Sequence, residues 1–420
     1  MGVPTKYINS SGVDIGIPLV PKSYLIDRYP ELADTFKQAG LWGWGLGSNG
    51  ALGDNTTVSK SSPVQTIAGG TNWQQVSVSY AATLNGPTVA AIKTDGTLWG
   101  WGQNSNGQLG DNTVASKSSP IQTVSAGTNW KQVAAGLFFV GAIKTDGTLW
   151  LSGRNNYGQL GNNTITNVSS PIQTVSGGTN WKMISANRSH ASAIKTDGTL
   201  WLWGQNSSGQ LGNNAVANVS SPIQTVSGGT NWKQVSVGDS FTAAIKTDGT
   251  LWLWGTNGFG TMGQNVTGVA ARSSPVQTVS GGTNWKQVSA GTDVAGAIKT
   301  DGTLWLWGKG SYGRLGDNTD VDKSSPIQTI SGGTNWQQIS ANPSVGAIKT
   351  DGTLWTWGWN RDGTLGNNIG SLGSQYSSPI QTIAGGTNWK QVSVGGQSGT
   401  FGSSMFAIQD NSADMFGNPL

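Results

Sequence analysis

Residues 244–255 read A-I-K-T-D-G-T-L-W-L-W-G. On both sides of Thr247-Asp248-Gly249 the side chains alternate in type, the period of a strand. Thr-Asp-Gly suits a type I turn closed by a glycine at positive φ, the three-residue hairpin connection. The stretch is therefore a β-hairpin. Close copies begin at Ala91, Ala142, Ala193, Ala297 and Ala347, and a decayed one, A-I-Q-D-N-S, begins at Ala407. Successive starts lie 51, 51, 51, 53, 50 and 60 residues apart, so the chain is an array.

Working outward from the hairpin, each unit keeps one order. Leu-Trp-x-Trp-Gly begins at 41, 98, 149, 200, 251, 304 and 354, with Ser152 replacing the second tryptophan once. Gly-x-Leu-Gly follows, with Met262 in place of leucine once, then Ser-Ser-Pro-Ile/Val-Gln-Thr, Gly-Gly-Thr-Asn-Trp and a strand such as 233–237. Four short strands per unit, seven times over, predict an all-β, seven-bladed propeller spanning 41–409 as one domain. Twenty of the 21 tryptophans fall at fixed repeat positions, which reads as core between blades; only Trp359 is off-pattern. The array opens with the second half of a hairpin (41–45) and ends with a first half (407–409). Pairing these in one blade, built from 41–67 and 387–409, would leave no open edge. Residues 413–417 are a degraded alternative partner.

Residues 1–40 carry no copy of the repeat. Pro30 suits the first turn of a short helix through Ala39, stopped by Gly40. One helix and an extended arm cannot build a core alone. The expectation is an anchoring extension that offers Tyr24, Leu25, Tyr29, Leu32 and Phe36 to a neighbouring subunit, with 410–420 a short tail.

The repeat D-G-T-L-W-x-W-G-x-N-x-x-G-Q-L-G, as in residues 197–212, resembles that of the regulator of chromosome condensation family over roughly 41–409. The resemblance implies a seven-bladed propeller with about 50 residues per blade. The family's founding member is a chromatin-bound exchange factor for a small GTPase. This chain lacks the histidine such repeats usually carry before the apolar strand, and any long insertion that could wedge against a nucleotide-binding protein. Exchange activity is therefore not carried over. The leader, N-S-S-G-V-D-I-G followed by P-K-S-Y-L-I-D-R-Y-P, resembles those of tailed-phage structural proteins.

Composition narrows the chemistry. With 64 glycines, 10% charged residues, no cysteine and one histidine, thiolate sites and disulfides are excluded. Ser/His catalysis is confined to His190, read as a turn residue without an adjacent acid. Asp95, Asp146, Asp197, Asp248, Asp301 and Asp351 read as turn caps. Asp54, Asp111 and Asp317 lack the spacing of a calcium loop. The expectation is no enzyme, no cofactor and no metal. A net charge of +4 without a basic run gives no nucleic-acid footprint, and no apolar run is long enough to span a membrane.

The copies differ in an ordered way. In a simple meander the Thr-Asp-Gly and Gly-Gly-Thr-Asn turns share one face of the disc and barely vary. The other face receives two variable sets of loops. The first comprises 79–88, 136–140, 187–191, 238–241, 291–295, 342–345 and 395–404; the second follows Trp-Gly. Aromatics and arginines anchor binding surfaces, which singles out Phe138, Phe139, Arg154, Tyr157, Arg188, His190, Phe241, Phe259, Tyr312, Trp359 and Arg361. Both ends of the array fall on the uniform face. That is the layout of a tethered display module, expected as a virion component whose partners are other virion proteins and a protein or glycan. The alternatives are a secreted or surface bacterial propeller mediating protein–protein interaction and, further off, a small-GTPase exchange factor.

Overall fold

A computed structural model describes residues 40–67, 72–81, 86–125, 127–268, 270–370, 374–396 and 402–410. The residues expected to anchor, Tyr24, Leu25, Tyr29, Leu32 and Phe36, the helix expected over 30–39 and residues 411–420 of the tail lie outside them. Twenty-eight strands form seven antiparallel four-stranded sheets. The fourth blade shows the plan: Trp232–Val237, Phe241–Lys246, Leu251–Gly255 and Arg272–Gln277 pair in chain order.

The hairpin that organises the sequence is built as its turn chemistry demands. Gly249 sits at φ +79°, and its N–H donates to Lys246 O at 3.0 Å. Beyond the turn, Ile245 faces Leu251 and Phe241 faces Gly255. The outer strand is an edge, and it carries Ser-Ser-Pro at a register shift between Leu253 and Gly255, where a proline costs no ladder bond.

Six sheets are continuous in sequence. In the remaining one, Gly40–Gly45 lies between Lys60–Gln65 and Ser403–Gln409, and Trp389–Gly396 completes the order. Leu41 faces Ile408 and Gly45 faces Ser404 across the joint. Phe406 is fully buried there, edge-on to Trp101 of the next blade at 5.8 Å.

Two devices hold blade to blade. The second tryptophan of Leu-Trp-x-Trp-Gly is buried at the seam and donates its indole N–H to the preceding blade's Gly-x-Leu-Gly loop, as from Trp254 to Gln210 O at 2.8 Å. Ser152, the one departure, keeps that bond through its hydroxyl to Gln108 O at 3.1 Å. Beside it lies a cavity of about 10 Å³, about one water's worth, lined in part by Ser152 and Gly100. The second device is a belt around the central channel, which the first strands line. Gln234 accepts the Val288 N–H at 2.9 Å and donates to Val288 O at 3.2 Å, while Ser236 accepts the Ala290 N–H at 2.9 Å. From the last blade, Gln391 and Ser393 reach Val76 and Val78 of the first in the same way. Ala134 and Met183 stand at belt positions without the polar group, so each removes one link.

No helix among the described residues is long and apolar enough to cross a membrane.

Candidate binding face

On the uniform face the Thr-Asp-Gly-Thr turns share one hydrogen-bond relay. Asp248 Oδ1 accepts from the Thr250 N–H at 2.9 Å and from its hydroxyl at 2.7 Å, and Thr250 Oγ1 accepts the Trp252 indole N–H at 2.8 Å. The same relay runs from Asp95, Asp146, Asp197, Asp301 and Asp351. In Asp146, Asp197, Asp248 and Asp301 the threonine hydrogen bonds hold the carboxyl below its ordinary range. These acids are turn caps, as the sequence reading has them. On the opposite face, in the loops between third and fourth strands, Asp54, Asp111 and Asp317 are likewise occupied, facing Lys60, Lys117 and Lys323 at 3.8, 3.5 and 3.4 Å. Where the acid is Asn162 or Asn213, the lysine position holds Val168 or Val219. Each acid has come with its own counter-charge.

The opposite face collects the loops between first and second strands and those between third and fourth. Its long loops rest on an internal frame. Asn206 accepts from the Leu211 N–H at 2.9 Å and donates to Ala215 O at 3.0 Å, and Gln210 accepts from the Ser208 N–H at 2.8 Å. The frame leaves the loop tips free to differ.

At those tips, cations meet aromatic rings in blade after blade. The Arg154 guanidinium lies 5.5 Å from the Phe138 ring and 5.7 Å from that of Tyr157. Arg188 donates to both carboxylate oxygens of Asp239 at 3.1 Å and lies 6.0 Å from the Tyr80 ring. Lys309 is 3.4 Å from Asp293 and 4.5 Å from the Phe259 ring. Tyr312 stacks on Trp359 at 5.2 Å, and Arg361 lies 5.8 Å from that indole. Phe138, Arg154, Tyr157, Arg188, Phe259, Tyr312 and Arg361 are therefore on one face and at least partly exposed.

Four of the expected contact residues are corrected. Phe139, His190, Phe241 and Trp359 are buried. The first three are not loop tips; they open their second strands, which begin earlier than the Ala-Ile-Lys alternation suggests. The rings of Phe139 and Phe241 fill the space beside Gly136 and Gly238, where a Cβ would come within 2.2 and 2.5 Å of them. His190 is a strand residue, not a turn histidine. Thr242 spends its hydroxyl proton on Gln210 O at 2.8 Å, so His190 Nε2, 3.1 Å from Thr242 Oγ1, must be the donor. Burial pushes its pKa down to about 3, so the ring stays neutral.

Sequence reasoning missed Tyr80, Asp239, Asp293 and Arg314. Tyr80 lines the upper part of the channel, a cavity of about 160 Å³, and burial raises its pKa. Burial also pushes the Asp239 carboxyl up, with Arg188 pulling against it. Arg314 replaces the framing glutamine of other copies and is fully buried; desolvation lowers its pKa to about 10. Two acids in matching loops of a chain with so little charge were the available signal.

A seven-bladed propeller with one uniform face and one face of cation–aromatic pairs defines the class. Residues 40–401 match the RCC1-like domain, and the chain belongs to that family of protein-binding propellers. The ultraviolet-B receptor UVR8 of Arabidopsis thaliana is 30% identical over 321 residues, 73% of this chain and 70% of the receptor. The human E3 ubiquitin-protein ligase HERC2 is 28% identical over 58% of this chain, but the match spans only 5% of the ligase, one part of a far longer protein. Among solved structures, the yeast RCC1 protein Prp20 bound to Kap60 superposes with a TM-score of 0.76 at 17% identity, covering 89% of each chain. Human WBSCR16 gives 0.74 at 19% identity, over 89% of this chain and 99% of its own. At these identities the structural likeness concerns the fold.

Proposed function

We propose that this propeller is a non-enzymatic display module that binds a protein through its variable face. The observation that carries the reading is the run of cation–aromatic pairs contributed by blades one to six: Arg154 with Phe138 and Tyr157, Arg188 over the buried Tyr80, Lys309 with Phe259, and Arg361 over the buried Trp359. Such side chains supply most of the energy at protein interfaces. A protein is favoured over a glycan because relatives are described by protein partners: Prp20 was solved bound to Kap60, and its binding to Gsp1p and histones was studied. The described chain enters at Gly40 and leaves at Gln409 on the uniform face, so leader and tail would tether the module from behind.

A photo-crosslinking residue at position 157 or 259 should yield a protein adduct in the native assembly. The same residue at position 247, on the uniform face, should yield none. The reverse pattern would sink the proposal. The virion setting is a separate part of it and rests on the leader's resemblance. Mass spectrometry of purified particles should find the chain in stoichiometric amount, and its absence would remove the virion setting while leaving the binding face standing.

A further inference from the structure

One framing position of the seven long loops carries a charge in a single copy. Residues 51, 108, 159, 210, 261, 314 and 364 match, and all but Arg314 are neutral. Gln108 and Gln159 accept the N–H of the residue two before them, Asn106 and Tyr157, at 2.9 Å. Arginine has donors only, so in the fifth blade the same peptide group is turned over and Arg314 Nε donates to Ser311 O at 2.9 Å. The reversal leaves Tyr312 at φ +65°, a left-handed conformation that bulky residues rarely adopt. Strain of this kind collects at binding sites.

The guanidinium gains little in return. It is fully buried, and neither Nη1 nor Nη2 has a hydrogen-bond partner among the described residues. Ser311 Oγ, on the residue that Nε bonds, is buried without a partner as well. Asp293 and Asp322, the acids whose charge reaches the guanidinium, are committed elsewhere: to Lys309 Nζ at 3.4 Å and to the Gly310 N–H at 2.8 Å. An unpaired cation is among the costliest groups to bury. The Tyr312 ring lies 5.7 Å from the Arg314 Cζ and stacks at 5.2 Å on Trp359, the one tryptophan outside the repeat.

We propose that Arg314 Nη1 and Nη2, with Ser311 Oγ, form a carboxylate site on the variable face, closed in this structure by the Tyr312–Trp359 stack. The paired nitrogens match the two oxygens of a carboxylate. One cation with two acids nearby balances a monoanion and not a phosphate dianion. Tyr312 is partly exposed while Trp359 is buried, so the tyrosine is the outer member of the stack and its rotation would uncover the guanidinium. This inference rests on the reading of the variable face as a protein-binding one: the carboxylate is an acidic side chain or chain end of the partner.

Acetate is the probe that tests the site without the partner. In thermal melts of the full chain at neutral pH and fixed ionic strength, acetate replacing chloride should raise the melting temperature saturably. Arg314→Gln, which copies Gln108, should abolish that response. Tyr312→Asn copies Asn49, which holds φ +55° in the matching loop, and removes the outer ring. It should tighten acetate binding by roughly two- to tenfold, the range spanned by one aromatic pair. Should Arg314→Gln fail to fold, Arg314→Lys keeps a cation without the fork and should lose most of the acetate affinity. A response that is absent, that persists in both Arg314 variants, or that inorganic phosphate exceeds would overturn the site. The second arm is the photo-crosslink at position 259, whose adduct yield should fall severalfold in Arg314→Gln. Acetate binding with an unchanged yield would overturn the partner as the source of the carboxylate. Acetate binding with no adduct even in the native chain would sink the protein-binding reading of the face and leave the site standing.

Discussion

Two glycines of the fourth blade, nine residues apart, separate the two faces of the disc. Gly249, on the uniform face, holds φ at +79°, and a Cβ there would lie 2.0 Å from Thr283 O. Gly258, on the variable face, has nothing closer than 4.0 Å around the same atom. The uniform face is uniform because its backbone and side chains are committed: the turn glycine abuts the next connection, the aspartate caps the threonine, and the threonine holds an indole. On the variable face the commitment stops at the Asn206 and Gln210 type of frame, and the tips carry no such duty. Repetition on one side therefore reports architecture, and divergence on the other reports freedom from it. Freedom is what a binding surface requires.

The largest expected effect breaks or confirms that contrast directly. Gly249→Ala should cost about 3 kcal/mol, from a left-handed backbone and a sub-contact approach. Gly258→Ala should stay within about 0.5 kcal/mol. Urea unfolding midpoints measure both, and comparable losses would abolish the distinction between the faces.

The faces should also titrate apart. His190, at the variable-face end of its strand, is neutral when folded because burial lowers its pKa to about 3. The unfolded chain then binds the extra proton first, so stability falls as pH drops from about 6.5 toward that value, by about 2 kcal/mol at pH 5. His190→Phe, which copies Phe139 and Phe241 at the matching position, should abolish this window. Thermal melts between pH 7 and 4.5 would show it, and an unaltered profile would mean the histidine is solvated. The turn aspartates act lower. Their folded pKa values are depressed by threonine hydrogen bonds, so their contribution is complete above about pH 4 and lost only as pH falls further. Asp248→Ala should remove about 1 kcal/mol at neutral pH, and less once melts are run at pH 2.5.

Much of the fold was legible because the hairpin repeats. One Thr-Asp-Gly turn between alternating strands is a local inference, and seven copies turn it into a ring. The seam bond of Ser152 was not legible, since a serine in a tryptophan's place gives no hint that it keeps the same acceptor. The burial of His190 and Phe241 was hidden by three strand residues that precede Ala-Ile-Lys, which moved them from loop to core. The meeting of Tyr80, Arg188 and Asp239 was hidden for a different reason. They come from three blades, and no period in the sequence states which tips lean toward the channel.

The smallest effect concerns that meeting. Arg188 is the more exposed partner, at 45% for its side chain against 14% for Asp239, so the ion pair itself should contribute about 1 kcal/mol or less. Arg188→Ala nevertheless leaves Asp239 buried with its nearest cation gone. Burial already raises that carboxyl, and losing the guanidinium raises it further. A group with a raised folded pKa favours folding at low pH and loses that contribution as pH climbs through the window above the unfolded value near 4. The deficit of Arg188→Ala relative to the native chain should therefore be larger at pH 7 than at pH 4.5. Adding Asp239→Asn should recover most of it at pH 7 by removing the stranded charge. A deficit that is the same at both pH values, and that Asp239→Asn does not relieve, would show that Arg188 acts through its packing on Tyr80 instead. The variable face would then be held by side-chain contacts of the same kind that fix the uniform one.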